Sequence, residues 1–118
     1  MEEKLVRTII RGFSRSILLW LLDRKAMSGY LIIKEMQKIT GHSFTSGAIY
    51  PLLYELENRG FIVGDWKQRG RRRIKYYSIT EKGKKMLLTI RDLLEMPVRE
   101  VLNDLLGEES SLEESMNT

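Results

Sequence analysis

The sequence predicts a mainly α fold with one small β-hairpin: three helices, the hairpin, then a long C-terminal helix. Three observations predict it. Apolar residues recur at helical spacing in three segments before residue 60 and in one after residue 80. Two short runs between them, "FIVGDWK" and "RIKYYSI", are rich in β-branched and aromatic residues, which favour strands. The stretch joining those runs, "QRGRR", is polar and centred on a glycine, as a hairpin tip requires.

The first helix is expected from Lys4 to Leu22, where Leu5, Ile9, Phe13, Ile17 and Leu21 recur about once per turn. Beyond Phe13 it is apolar on most sides, which suggests more than one packing neighbour. Lys4, Arg7, Arg11 and Arg15 form a basic stripe along it, read first as a solvated face. In "KAMSGY", Ser28 is suited to cap a second helix that runs to about Ile39, with Ile32, Ile33, Met36 and Ile39 on one side. The turn formers of "TGHSFTSG" make a loop. A third helix follows, from about Ser46 to Asn58, packed through Ile49, Leu52, Leu53 and Leu56 and stopped by Gly60. Pro51 is unusual inside it, and its ring would crowd the carbonyl of Gly47.

In the hairpin, Gly70 supplies backbone freedom at the tip, and Trp66, Ile74 and Tyr76 could share one face. Thr80 then caps the final helix, which runs to about Leu106 with a kink at Pro97. Leu87, Ile90, Leu94, Val98, Val101 and Leu105 recur along it at spacings of three and four. A helix of that length spans roughly 40 Å, more than a small domain needs, so its outer half is expected to pack on the same helix, or on Phe13 and Ile17 of the first helix, in a second copy; the alternative is a helix folded back over its own core at Pro97. The expected organisation is residues 1–79 for the helices and hairpin, 80–106 for the dimerisation helix, and 107–118 for an acidic, disordered tail.

Charge separates the tail from the body. The chain has 118 residues and a net charge of +4, but its last twelve residues hold four glutamates and no Lys or Arg. Residues 1–106 therefore set 20 basic against 12 acidic side chains, a net +8, which suits a polyanion. There are no cysteines and one histidine, His42, so disulfides, thiolate catalysis and cysteine-based metal sites are excluded, and no metal or cofactor is expected. No phosphate-loop or paired-carboxylate motif is present, and no enzymatic activity is expected. The longest apolar run, "ILLWLL", is followed at once by "DRK"; a signal peptide or membrane span is not expected, and a cytoplasmic location is.

Three helices followed by a two-stranded hairpin is the arrangement of a winged helix-turn-helix. The wing would then hold the densest charge in the chain: Lys67, Arg69, Arg71, Arg72, Arg73 and Lys75, with no acidic residue among them. A surface run of this kind is most often simply solvated, but at a hairpin tip of this fold it is placed to meet phosphates. The third helix, packed by its apolar stripe, would turn Gly47, Tyr50, Pro51, Tyr54 and Asn58 outward, with Thr45 and Ser46 at its leading end, where such helices meet base edges.

The elements "SGYLIIKEM", "GAIYPLLYELENRGFI", a tryptophan in the next strand, and "KYYSITEKGKK" together resemble the PadR family of transcriptional regulators over roughly residues 16–90. The resemblance implies a homodimer that binds a near-palindromic double-stranded operator and commonly represses a neighbouring gene. It makes Ser46, Gly47, Tyr50 and Tyr54 reading positions and Arg71, Arg72, Arg73 and Lys75 wing contacts. Some members bind flat aromatic or cationic small molecules between subunits, on a tryptophan of the final helix. Here the tryptophans are Trp20 and Trp66, neither in that helix, so an effector, if there is one, is left unidentified. RNA binding and a protein-interaction role are the alternatives to duplex DNA.

Overall fold

The computed structural model describes residues 2–107. In chain order the elements are α1 (Glu2–Arg24), β1 (Met27–Ser28), α2 (Gly29–Thr40), α3 (Ser46–Asn58), β2 (Ile62–Arg69), β3 (Arg72–Ile79), α4 (Glu81–Leu94) and α5 (Val98–Leu105). They form two compact units, one up to Leu87 and one from Leu88. The expected acidic tail lies, apart from Gly107, outside the described residues.

The core of the first unit is built from the C-terminal half of α1 and one side each of α2 and α3. Leu18, Leu19, Leu21 and Leu22 meet Ile32, Met36, Ile49, Leu53 and Leu56, and Met27, Ile62 and Tyr77 close it from the sheet. The N-terminal half of α1 stays outside this core, with Leu5, Val6, Ile9 and Phe13 exposed. Each helix end is specified locally. The Ser28 hydroxyl accepts from the Leu31 N–H at the start of α2, and Thr45 accepts from the Ala48 N–H at the start of α3. At the end of α3 the Phe61 N–H donates to Leu56 and the Gly60 N–H to Glu57, with Gly60 at φ 81°. This is the Schellman stop, which needs a residue tolerant of the left-handed region. Thr80 Oγ1 accepts from the Gly83 N–H and donates to the Gly60 carbonyl, so one hydroxyl starts α4 and fastens it to the α3 stop.

The sheet has three strands in the order β1-β3-β2, all antiparallel, where the sequence predicted two. Two residues of β1 suffice: Met27 pairs with Tyr77 and Ser28 with Tyr76. So short a segment has no period to detect. The hairpin is also tighter than the sequence suggested, because Arg69 already pairs with Arg72 across a two-residue loop. Gly70, at φ 63°, is the loop residue that needs a positive φ, as the first position of a type II′ turn does.

In the second unit the predicted long helix is two helices. Pro97 has no N–H for the Leu93 carbonyl, which accepts instead from Met96 at 3.3 Å, and Met96 precedes a proline, a position that disfavours helix. The chain tightens into a turn through residues 95–97 and restarts as α5. Leu88, Leu93, Met96, Val98, Val101, Leu105 and Leu106 are exposed, and no residue of α5 is buried. None of the helices among the described residues is long and apolar enough to cross a membrane.

Candidate nucleic-acid interface

The core side of α3 leaves its other side in solvent. Thr45, Ser46, Gly47, Tyr50 and Tyr54 are all exposed, Tyr54 at 70%. Thr45 has a second duty that sequence reasoning did not give it. Its oxygen caps α3, so what it offers outward is its hydroxyl proton. Tyr50 does not project freely either. Its ring lies back against the first residue of α2, Gly29, and is 43% exposed.

The pairing register of the wing sorts its side chains into two faces. Trp66 stands opposite Lys75, whereas Ile74 stands opposite Lys67 and Tyr76 opposite Asp65. Trp66 therefore does not share a face with Ile74 and Tyr76, as the sequence had suggested; strand register, set by the two-residue turn, decides this. Each face sets an exposed or half-buried ring near two cations. Arg73 and Lys75 lie 5.5 and 6.0 Å from the Trp66 ring. Lys67 and Arg69 lie 5.8 and 5.4 Å from that of Tyr76. Stacking of this kind orders long basic side chains without neutralising them. Among the described residues no ion pair engages Lys67, Arg69, Arg71, Arg72 or Arg73, and all five are exposed.

Lys75 differs from the other wing cations. It is partly buried, and its ammonium donates to Glu57 Oε1 at 3.0 Å. The other oxygen of the same carboxylate accepts from the Gly64 N–H at 3.0 Å. Glu57 thus reaches from the last turn of α3 to both strands of the wing and holds the Lys75 pKa above its ordinary value. Sequence reasoning places Lys75 among the ligand contacts and leaves Glu57 without a role, because carboxylate and amine are eighteen residues apart with nothing local to link them. Gly64 completes this junction: a Cβ there would run into the Lys75 side chain and stand 2.9 Å from Glu57 Oε2.

Two further features frame the surface. Between the start of α2, α3 and the wing runs a groove of about 510 Å³, lined by Gly29, Tyr30, Tyr50, Trp66, Arg73 and Tyr77 among others. Burial pushes the Tyr77 phenol above its ordinary pKa, so it stays protonated at neutral pH. On the other flank Arg15 grips Glu55 of α3 through both carboxylate oxygens, so one member of the α1 stripe is structural. Arg7 and Arg11 line the hollow next to Thr45 and Ala48.

The residues expected to pair two copies divide between the units. Phe13 is exposed on α1 and Ile17 is half-buried behind it. Leu87, Ile90 and Leu94 are half-buried on α4, and Val98, Val101 and Leu105 are exposed on α5. The stripe thus runs over two helices rather than one. Among the described residues no cluster of three or more His, Cys, Asp or Glu side chains could hold a metal ion.

Comparison with known proteins places this geometry. The sequence profile of the transcriptional regulator PadR-like family matches residues 18–89, from mid-α1 into α4. A protein of Thermoplasma acidophilum whose structure is described as that of a transcriptional regulator is 30% identical, with a TM-score of 0.73 over 87% of this chain and 99% of its own. A PadR-like transcriptional regulator from Bacillus cereus is 27% identical, with a TM-score of 0.74 over 86% of this chain and 99% of its own. A PadR family regulator from Eggerthella lenta, 24% identical, shares the fold at a TM-score of 0.75 over 91% of this chain and 93% of its own. No curated protein matches the sequence.

Proposed function

Because the chain belongs to the transcriptional regulator PadR-like family, whose members bind DNA, we propose that it acts as a homodimeric repressor on a near-palindromic double-stranded operator. The observation that carries this reading is the set of five exposed wing cations without acidic partners beside an uncharged, exposed α3 face. Lys67, Arg69, Arg71, Arg72 and Arg73 would neutralise phosphates, while Ser46, Gly47 and Tyr54, with the Thr45 hydroxyl, would face base edges. Lys75 would act from behind, by holding the wing to α3. Two copies would set two α3 helices about one DNA turn apart, roughly 34 Å. The exposed apolar side chains of α1 and α5 are what a second copy would cover, and residues 80–106 remain our choice for the dimerisation segment. The reading assigns no catalysis, no cofactor and a cytoplasmic location, and leaves the identity of any effector open.

The test is a salt titration on an operator selected from genomic fragments. Each phosphate contact contributes about 0.9 to the slope of log affinity against log salt. Arg71→Ala with Arg72→Ala is expected to flatten that slope by roughly 1.8 and to weaken operator and random duplex alike. An unchanged slope would remove the wing from the interface.

A second reading has one observation in its favour. Tyr30, Tyr54 and Trp66 are exposed, and stacking on exposed aromatic rings is how single strands are held. Competition of the operator duplex by unlabelled single-stranded RNA separates the two, since a duplex reader keeps its operator.

A further inference from the structure

Gly29 is buried at the point where β1 becomes α2, and its backbone does not explain why it is glycine. The glycines with positive φ among the described residues are Gly41, Gly60, Gly70 and Gly107; Gly29 is in a conformation open to any residue. Space explains it instead. A Cβ built on Gly29 would stand 2.7 Å from Cζ and 2.8 Å from Cε1 of Tyr50, and nearer still to the hydroxyl. Real carbon contacts do not come so close, so one side must yield. The three obstructing atoms all belong to the far end of the Tyr50 side chain, which can swing, whereas the start of α2 is fixed by the Ser28 cap and by the pairing of β1 with β3. Gly83 makes an instructive contrast, because there the obstruction is the Phe61 carbonyl in the backbone.

We infer that Gly29 is a positioning residue for DNA recognition: its missing Cβ lets Tyr50 lie back on the first turn of α2 and so keeps open the groove between α3 and the wing. The inference rests on the reading of α3 and the wing as the DNA-facing surface. With any side chain at position 29, the Tyr50 ring swings forward into the space bordered by Trp66 and Arg73, where a backbone strand would pass. Tyr50 is thereby a wall of the site set from α2.

The experiment pairs Gly29→Ala with Tyr50→Ala. Tyrosine labelled with carbon-13 at Cζ reports the position of Tyr50 without DNA, with its signal assigned by Tyr50→Phe. In Gly29→Ala that signal is expected to move while the amide spectrum stays folded, and operator affinity is expected to fall about tenfold. In the Tyr50→Ala background, where nothing remains to clash, Gly29→Ala is expected to change affinity by less than about twofold. An unmoved Tyr50 signal, an undiminished affinity, or the same loss in both backgrounds overturns the inference. Should Gly29→Ala alone fail to fold, the double variant decides: a restored fold supports the clash, and an unfolded double variant refutes it. Should the wild-type protein bind no duplex, the DNA reading has failed, and the Tyr50 signal still decides whether Gly29 sets that ring.

Discussion

The residues up to Leu87 and those from Leu88 contain similar apolar side chains and put them to opposite uses. In the first unit, Leu18, Ile32, Met36, Ile49 and Leu53 from three helices are wholly excluded from solvent. In the second, α5 has its apolar residues along one side, buries none of them, and exposes Leu105 at 76%. An eight-residue helix is far below the length at which helices persist in water by themselves. Hydrophobic content therefore does not decide whether a segment is buried. Among the described residues, the first unit buries the later part of α1 with α2, α3 and the sheet, whereas the apolar side chains of α5, like those at the start of α1, stay exposed. The family match covers residues 18–89 and so falls almost wholly on the first unit.

The contrast can be broken from either side. The largest effect is expected in the first core. Leu53→Ala empties a fully buried position and is expected to cost about 2–5 kcal/mol of stability, read by denaturant unfolding. Leu105→Ala, at an exposed position, should leave that measurement within about 0.5 kcal/mol when made on the monomer. Val101→Asp is next. If the second unit is completed by another copy, this charge is expected to shift sedimentation from dimer to monomer while the first unit keeps its cooperative unfolding. A dimer that survives Val101→Asp would place the interface elsewhere.

The smallest effect concerns pH. The Glu55 carboxyl is held below its ordinary value, chiefly by the hydrogen bond from Arg15. Its folded pKa is lower than its unfolded one, so its stabilisation is present above about pH 4.3 and is lost as pH falls through the lowered value. Lys75 is shifted upward by Glu57, so its contribution is in place below about pH 10.4 and is lost only as pH rises through the raised value. Both links are constant near neutrality. A stability difference between wild type and Glu55→Gln that is present at pH 7 and gone under strong acid is the expected result; a difference unchanged by acid would show that the pair contributes nothing.

Local signals carried most of the fold. The caps at Ser28 and Thr80, the stop at Gly60 and the glycine of the hairpin tip are legible because each acts on its own few neighbours. What escaped was set by distant partners. Which face Trp66 takes can be assigned only once the strand register is known, and that register separates it from Ile74 and Tyr76. β1 leaves no trace in the sequence because a two-residue strand exists by virtue of Tyr76 and Tyr77, about fifty positions away. Pro97 was legible as a kink; that it would end a helix depended on how the Leu93 carbonyl found another donor. At the site, the exposed α3 residues follow from the helical period. The roles of Glu57 and Gly29 do not, since each consists in a contact with a different element.

In the sheet order β1-β3-β2, no strand among the described residues pairs with the outer side of β2. Apart from the Gly64 N–H, which Glu57 engages, its outward amides and carbonyls lack a ladder partner, and with exposed Val63 and Trp66 it is a template onto which another chain could add. Asp65, Lys67 and Arg69 interrupt it on the face away from Trp66. Repulsion between like-charged hairpins opposes edge-to-edge pairing of separate molecules, and neutralising that charge is expected to lower solubility at high concentration.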